Sequence, residues 1–219
     1  MVSPARPGLV IFDCDGVLVD SEPLSGRVSL EMIAEHGVTM SGEEMSARYL
    51  GTSDVDMVRD IERTHGITFP EGFVDEMQAR KLVAFRAAVR AMDGAAAAVG
   101  AIASAGVPLC VASSGPRDAT HVKLASAGLL RYFDGRLFSA YDVPRGKPQP
   151  DLFLYASAQM SVAPARCAVV EDSLPGVQGA LAAGMRVLGY APEGGGAALR
   201  DAGAEVFEDM AGVPGLLGI

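Results

Sequence analysis

Asp13 and Asp15 stand two residues apart at the end of an apolar run, Leu9-Val10-Ile11-Phe12, and Gly16 follows them directly. Residues i and i+2 of an extended segment point the same way, so both carboxylates can face one site. Two anions held that close repel unless a cation or a shared proton lies between them. Three further polar clusters follow other apolar runs: Ser113 with Ser114, Lys147, and Glu171 with Asp172. That set suits phosphoryl transfer. Asp13 would attack phosphorus as a carboxylate nucleophile. Asp15 would protonate the leaving alkoxide and later deprotonate water. Lys147 and Ser113, with the backbone amides of the Ser114-Gly115 turn, would hold the equatorial oxygens. A divalent cation would neutralise Asp13, Asp172 and a phosphate oxygen, and hard oxygen donors select magnesium.

Such residues converge only if a fold brings them together. Short apolar runs bounded by turn signals read as buried parallel strands. They occur at Leu9–Phe12, Val107–Ala112, Arg136–Ala140, Cys167–Val170 and Met185–Tyr190. Helical patterns lie between them, over about 119–127, 152–160 and 177–183. This alternation predicts an α/β fold with a doubly wound, parallel, Rossmann-like sheet. All four clusters then lie at carboxyl ends of strands, on the side where open α/β sheets bind ligands.

Between Asp20 and about Arg90 the pattern is wholly helical. Leu24, Val28 and Met32 share one face, and Ser41 stands three residues before Glu44 as in a capping box. His36-Gly37 and His65-Gly66 read as two helix C-termini, which gives both histidines structural roles. The expected organisation is a core of residues 1–19 and 91–219 carrying an all-α helical cap of residues 20–90. Inserted just after the acidic pair, that cap is placed to act as a lid.

Composition narrows the partners. Of 219 residues, 49% are hydrophobic and 21% charged, which gives ample core material. A net charge of −9 argues against nucleic acid and against an anionic membrane surface. An anionic ligand would therefore need a locally positive site. Cys14, Cys110 and Cys167 lie in or beside predicted strands, and their odd number implies reduced thiols in a cytoplasmic protein. The first apolar run is too short for a signal peptide, and no stretch approaches the roughly 18 residues of a membrane span. The expected protein is a cytoplasmic monomer acting on a small phosphorylated molecule.

Four motifs, FDCDGVLVDSE, VASSG, RGKPQPD and VVEDSLPGV, together resemble the haloacid dehalogenase superfamily, in the branch with a helical cap after the first motif. The resemblance covers essentially the whole chain. It implies a Mg2+-dependent phosphatase with Asp13 as nucleophile, Asp15 as acid and base, and Ser113, Ser114 and Lys147 around the phosphate. Asp172, helped by Glu171, would complete a metal site with Asp13 and the Asp15 carbonyl. The stretch from Gly115 to Phe153 is also similar to bacterial sugar-phosphate phosphatases, including those for 6-phosphogluconate, near the phosphoglycolate phosphatase and β-phosphoglucomutase branch.

Some candidates stay open on sequence alone. Glu171 could ligate metal through water or solvate the rim. Lys81 lies on an apolar helical stripe between Met77 and Phe85, where a snorkelling lysine is one reading. In the other, Lys81 or Arg80 reaches an anionic substrate tail. Cys14 alternates to the opposite side from the aspartates and reads as packing. Among competing activities, a β-phosphoglucomutase-type mutase resembles the core, but that family uses a histidine and an arginine in the cap where this chain has Ser25 and Asp54. Dehalogenation in the superfamily lacks the second aspartate. A phosphoacceptor signalling module would have no cap after its first strand.

Overall fold

A computed structural model gives the structure of residues 6–49, 51–192 and 194–219. The chain opens with β1 (Leu9–Phe12), whose four side chains are all buried, as expected for a strand covered on both faces. The short β2 (Val19–Asp20) leads into four helices: α1 (Glu22–Glu35), α2 (Gly42–Tyr49), α3 (Asp54–His65) and α4 (Phe73–Ala88). Then come β3 (Arg90–Ala91), α5 (Ala95–Ser104), β4 (Leu109–Ser113), α6 (Arg117–Ser126) and β5 (Leu137–Ser139). The chain continues through α7 (Asp151–Gln159), β6 (Cys167–Glu171), α8 (Leu174–Ala182), β7 (Arg186–Tyr190), α9 (Ala197–Ala202) and β8 (Glu205–Phe207).

Six strands form one parallel sheet in the order β5-β4-β1-β6-β7-β8. β1 sits in the middle with β4 on one side and β6 on the other, so the winding reverses at β1 and opens a crevice at its carboxyl end. In register, Phe12 is level with Val111 and Val170, so Asp13, the first residue past β1, lies beside Ser113 and Glu171, the last residues of β4 and β6, at the carboxyl edge of the sheet. β2 and β3, the residues flanking the helical insertion, pair antiparallel.

The described chain divides into two compact units, Ser21–Val89 and the remainder. In the helical unit, Met32, Ile33, Ile61 and Met77 are fully or almost fully buried in its core. His36 packs edge-on against Phe69 and Phe73, with ring centroids 5.5 and 5.2 Å away. Ser41 Oγ accepts from the Glu44 N–H at 3.1 Å, and Gly66 closes α3 at φ 64°, a conformation that favours glycine.

Several boundaries differ from the expected ones for local reasons. β4 begins at Leu109, since Pro108 has no N–H to give to a ladder. Helix α8 begins at Leu174, three residues earlier than expected, because Ser173 Oγ accepts from the Gly176 N–H at 3.1 Å and proline is tolerated in a first turn. β8 was not expected at all; its three residues, Glu205–Phe207, are too few to give a period.

Candidate active site

Asp13 is the first residue past β1, and its N–H donates to the Val170 carbonyl at 3.0 Å, continuing the ladder for one more step. The chain then turns: the Leu18 and Val19 amides both donate to the Cys14 carbonyl, and the Gly16 N–H returns to Val19. Gly16 has φ 74°, and a Cβ there would lie 2.0 Å from Asp172 Oδ2. The turn thus needs glycine twice over, once for its backbone and once to admit the Asp172 carboxylate. Cys14 is completely buried, as packing requires.

Lys147 reaches into the same place from the loop before α7. Its Nζ donates to Asp13 Oδ1 and, at 2.5 Å, to Glu171 Oε1, while lying 5.4 Å from the Phe153 ring centroid. Glu171 is completely buried, and its second oxygen accepts from the Asp172 and Ser173 amides and the Ser173 hydroxyl at 3.1, 3.1 and 2.9 Å. Four protein donors therefore occupy this carboxylate. That arrangement answers where Glu171 points: inward, holding Lys147 and the start of α8, and not toward the rim.

The electrostatics follow from packing three carboxylates around one ammonium. Burial pushes the Asp13 carboxyl up to about 7; Lys147 opposes this, while Glu171 and Asp15 add to it. Burial, with Asp13 and Glu171 nearby, pushes Asp172 up to about 8. Burial also opposes the charge on Lys147, but Asp13 and Glu171 outweigh it and hold the amine above the ordinary lysine range.

At the end of β4, Ser113 is buried and its Oγ accepts from the Gly115 N–H at 3.1 Å, whereas Ser114 is exposed at the tip of the turn. Ser139, level with Ser113 in the sheet, donates its hydroxyl to the Gly115 carbonyl at 2.7 Å. The Asp142 carboxylate accepts from both the Ser139 amide and Arg117. This loop is braced from two strands.

Lys123 is the residue that sequence reasoning missed. It projects from α6 and its Nζ lies 2.6 Å from Asp15 Oδ1, a contact spanning 108 residues of chain. Burial opposes its charge, but Asp15, joined by Cys14 and Asp13, outweighs burial and raises the amine. The two cap candidates have partners inside the helical unit. Lys81 is buried and its Nζ lies 2.5 Å from Asp54 Oδ1, while half-buried Arg80 pairs with Glu35 and Glu76 at 2.6 Å each. Asp13, Asp15, Ser113, Lys147, Glu171 and Asp172 are brought together in one unit; Lys81 and Arg80 belong to the other.

The site's tightest steric constraint is Gly176, where a Cβ would lie 1.9 Å from Glu171 Oε1. Gly176→Ala is expected to cost about 1–3 kcal/mol through overpacking and to displace Glu171 from Lys147. In thermal unfolding, Gly26→Ala in α1, with open space around it, should instead be neutral or slightly stabilising. Equal melting temperatures for the two variants would contradict the packing argument.

Comparison with known proteins gives a consistent picture. The family model described as haloacid dehalogenase-like hydrolase matches residues 7–184. The chain is 34% identical over 184 residues to 6-phosphogluconate phosphatase of Escherichia coli K12, covering 84% of this chain and 82% of that one. It is 32% identical over 198 residues to hexitol phosphatase B of the same organism, covering 88% of each. Among solved structures, a haloacid dehalogenase family hydrolase from Deinococcus radiodurans, with bound phosphate and sodium, matches with TM-score 0.81 and 33% identity over 99% of this chain and 96% of that one.

Proposed function

The chain belongs to the haloacid dehalogenase-like hydrolases and is a phosphatase of that family, and from this premise we propose that it hydrolyses a small phosphorylated sugar or sugar acid through an aspartyl-phosphate on Asp13, with Mg2+ as its cation. One observation carries the reading: buried Asp13 is gripped by Lys147 at the crevice where the Ser113 turn and Asp172 also converge.

In the first step an Asp13 oxygen bonds to phosphorus, the bond from phosphorus to the leaving oxygen breaks, and Asp15 gives that oxygen a proton. In the second, water bonds to phosphorus, Asp15 takes its proton, and the bond to Asp13 breaks to release phosphate. Lys147, Ser113 and the amides of the turn hold the transferring oxygens throughout.

The donors fit a magnesium ion. Asp13 and Asp172 are buried carboxyls pushed up to about 7 and 8 by burial and by their neighbours, the kind of pair a hard cation relieves. Magnesium uses one or two carboxylates together with substrate phosphate and water. Asp13, Asp172 and the Asp15 carbonyl would hold the ion, and it would supply charge neutralisation between nucleophile and phosphate. Glu171, taken up by four protein donors, serves by fixing Lys147.

The names of the relatives support the substrate class: one acts on 6-phosphogluconate and another on hexitol phosphates. The mutase reading gains nothing from the cap, because Asp54, at a position where that family uses arginine, is bound to Lys81. The test is phosphate release from glycolate phosphate, 6-phosphogluconate and β-glucose 1-phosphate, with Mg2+ and with a chelator. Release should fall more than about 10²-fold on chelation. Chelator-insensitive release would remove the metal from the reading, and isomerisation of β-glucose 1-phosphate without phosphate release would replace hydrolysis by mutase chemistry.

A further inference from the structure

Helix α6 turns Thr120, Lys123 and Leu124 inward, the i, i+3, i+4 spacing of a core-facing stripe. Thr120 is 1% exposed, Leu124 is fully buried, and Lys123, at 7%, occupies a position that an apolar residue would fill at no desolvation cost. Its Nζ ends on Asp15 Oδ1 at 2.6 Å. A buried ion pair of this kind adds little stability over a well-packed apolar side chain. What it does provide is a fixed carboxylate. The same helix begins directly after the Ser113–Pro116 turn, so one rigid element carries both the turn that would hold phosphate and the lysine that touches Asp15.

We infer that Lys123 is a positioning residue for transfer, holding the Asp15 carboxylate where it meets the leaving-group oxygen. The inference rests on the phosphatase reading, in which Asp15 passes a proton to that oxygen as its bond to phosphorus breaks. A sugar alkoxide is a poor leaving group and needs the proton, whereas p-nitrophenolate departs without it. A misplaced Asp15 should therefore slow one substrate far more than the other.

The experiment compares kcat/KM for 6-phosphogluconate and p-nitrophenyl phosphate in the wild-type enzyme, Lys123→Met, Lys123→Arg, Asp15→Asn and the Lys123→Met/Asp15→Asn double variant. Lys123→Met should lose about 10²–10³-fold on the sugar phosphate and less than about 10-fold on the aryl phosphate. Lys123→Arg should show a smaller loss of the same selective kind. It also carries the comparison if Lys123→Met does not fold. The double variant, which leaves neither charge buried alone, should match Asp15→Asn on both substrates. Equal losses on the two substrates, no loss, or a further loss in the Asp15→Asn background would overturn the inference. A wild-type enzyme inactive on both substrates would instead overturn the phosphatase reading. The crystal structure of Lys123→Met, or of Lys123→Arg, then decides the inference separately: a displaced Asp15 carboxylate supports it and an unmoved one refutes it.

Discussion

Asp13→Asn is expected to lower phosphate release by at least about 10⁴-fold, the scale on which removal of a nucleophile acts, while leaving the fold intact. The two side chains have nearly the same shape, so β1 and its ladder to β6 are untouched. Energetically the exchange removes a charge that the fold accommodates poorly, since burial pushes the Asp13 carboxyl up to about 7. The side-chain carbonyl of the introduced asparagine can still accept from Lys147, which keeps Glu171 as its ionic partner. Thermal unfolding of the metal-free variant should thus match or exceed that of wild type at pH 8, even as activity disappears. Acid quenching during turnover should trap a phosphorylated protein in wild type and none in Asp13→Asn. A variant that melts like wild type and retains a tenth of its activity would rule out Asp13 as the nucleophile.

The part of this site that could be read in the sequence is the part built on uninterrupted apolar strands. Leu9–Phe12 is buried on both faces, so it carries no polar residue until it leaves the sheet, and Asp13 marks that exit plainly. Ser113 and Glu171 are each the last residue of a strand with five buried side chains, Leu109–Ser113 and Cys167–Glu171. Lys147 was legible through the RGKPQPD motif, but it does not lie at a strand end as expected: it sits in the loop between β5 and α7, because β5 already ends at Ser139. Lys123 was not legible, although it sits on an apolar stripe just as Lys81 does. A stripe shows that a lysine is buried, but not whether its partner is Asp54 on a neighbouring helix or Asp15 two residues past Asp13. That choice depends on chain crossings of 27 and 108 residues, which no local period encodes. The inward turn of Glu171 was hidden for a similar reason. It requires the missing Cβ of Gly176 and the cap formed by Ser173, and both are statements about space.

Lys147→Met should be the most damaging change to stability in the site. Lys147 is the only cation in direct contact with Asp13 and Glu171 among the ion pairs of the described residues. Its removal leaves Asp13, Glu171 and Asp172 buried with no ion-pairing cation in direct contact among the described residues. Breaking a buried pair costs about 3–5 kcal/mol, which corresponds to a fall in melting temperature of roughly 6–20 °C for a chain of this size. The loss should also depend on pH in a defined direction. In the folded protein Asp13 and Asp172 keep their protons up to about 7 and 8. In the unfolded chain, aspartate releases its proton near its ordinary value of ~4. Between those values the folded state binds more protons, so stability falls as pH rises, and the contribution of these groups is lost by about pH 8. Without Lys147 the fall should be steeper and extend higher, because the one charge opposing it is gone. Excess Mg2+ should recover part of the melting temperature but not the activity, since a point charge at Asp13 and Asp172 does not replace a donor to the transferring oxygens. Melting curves at pH 5 and pH 8, with and without Mg2+, would test each step. A Lys147→Met protein that melts like wild type at both pH values would mean that the three carboxylates are kept apart by some other means.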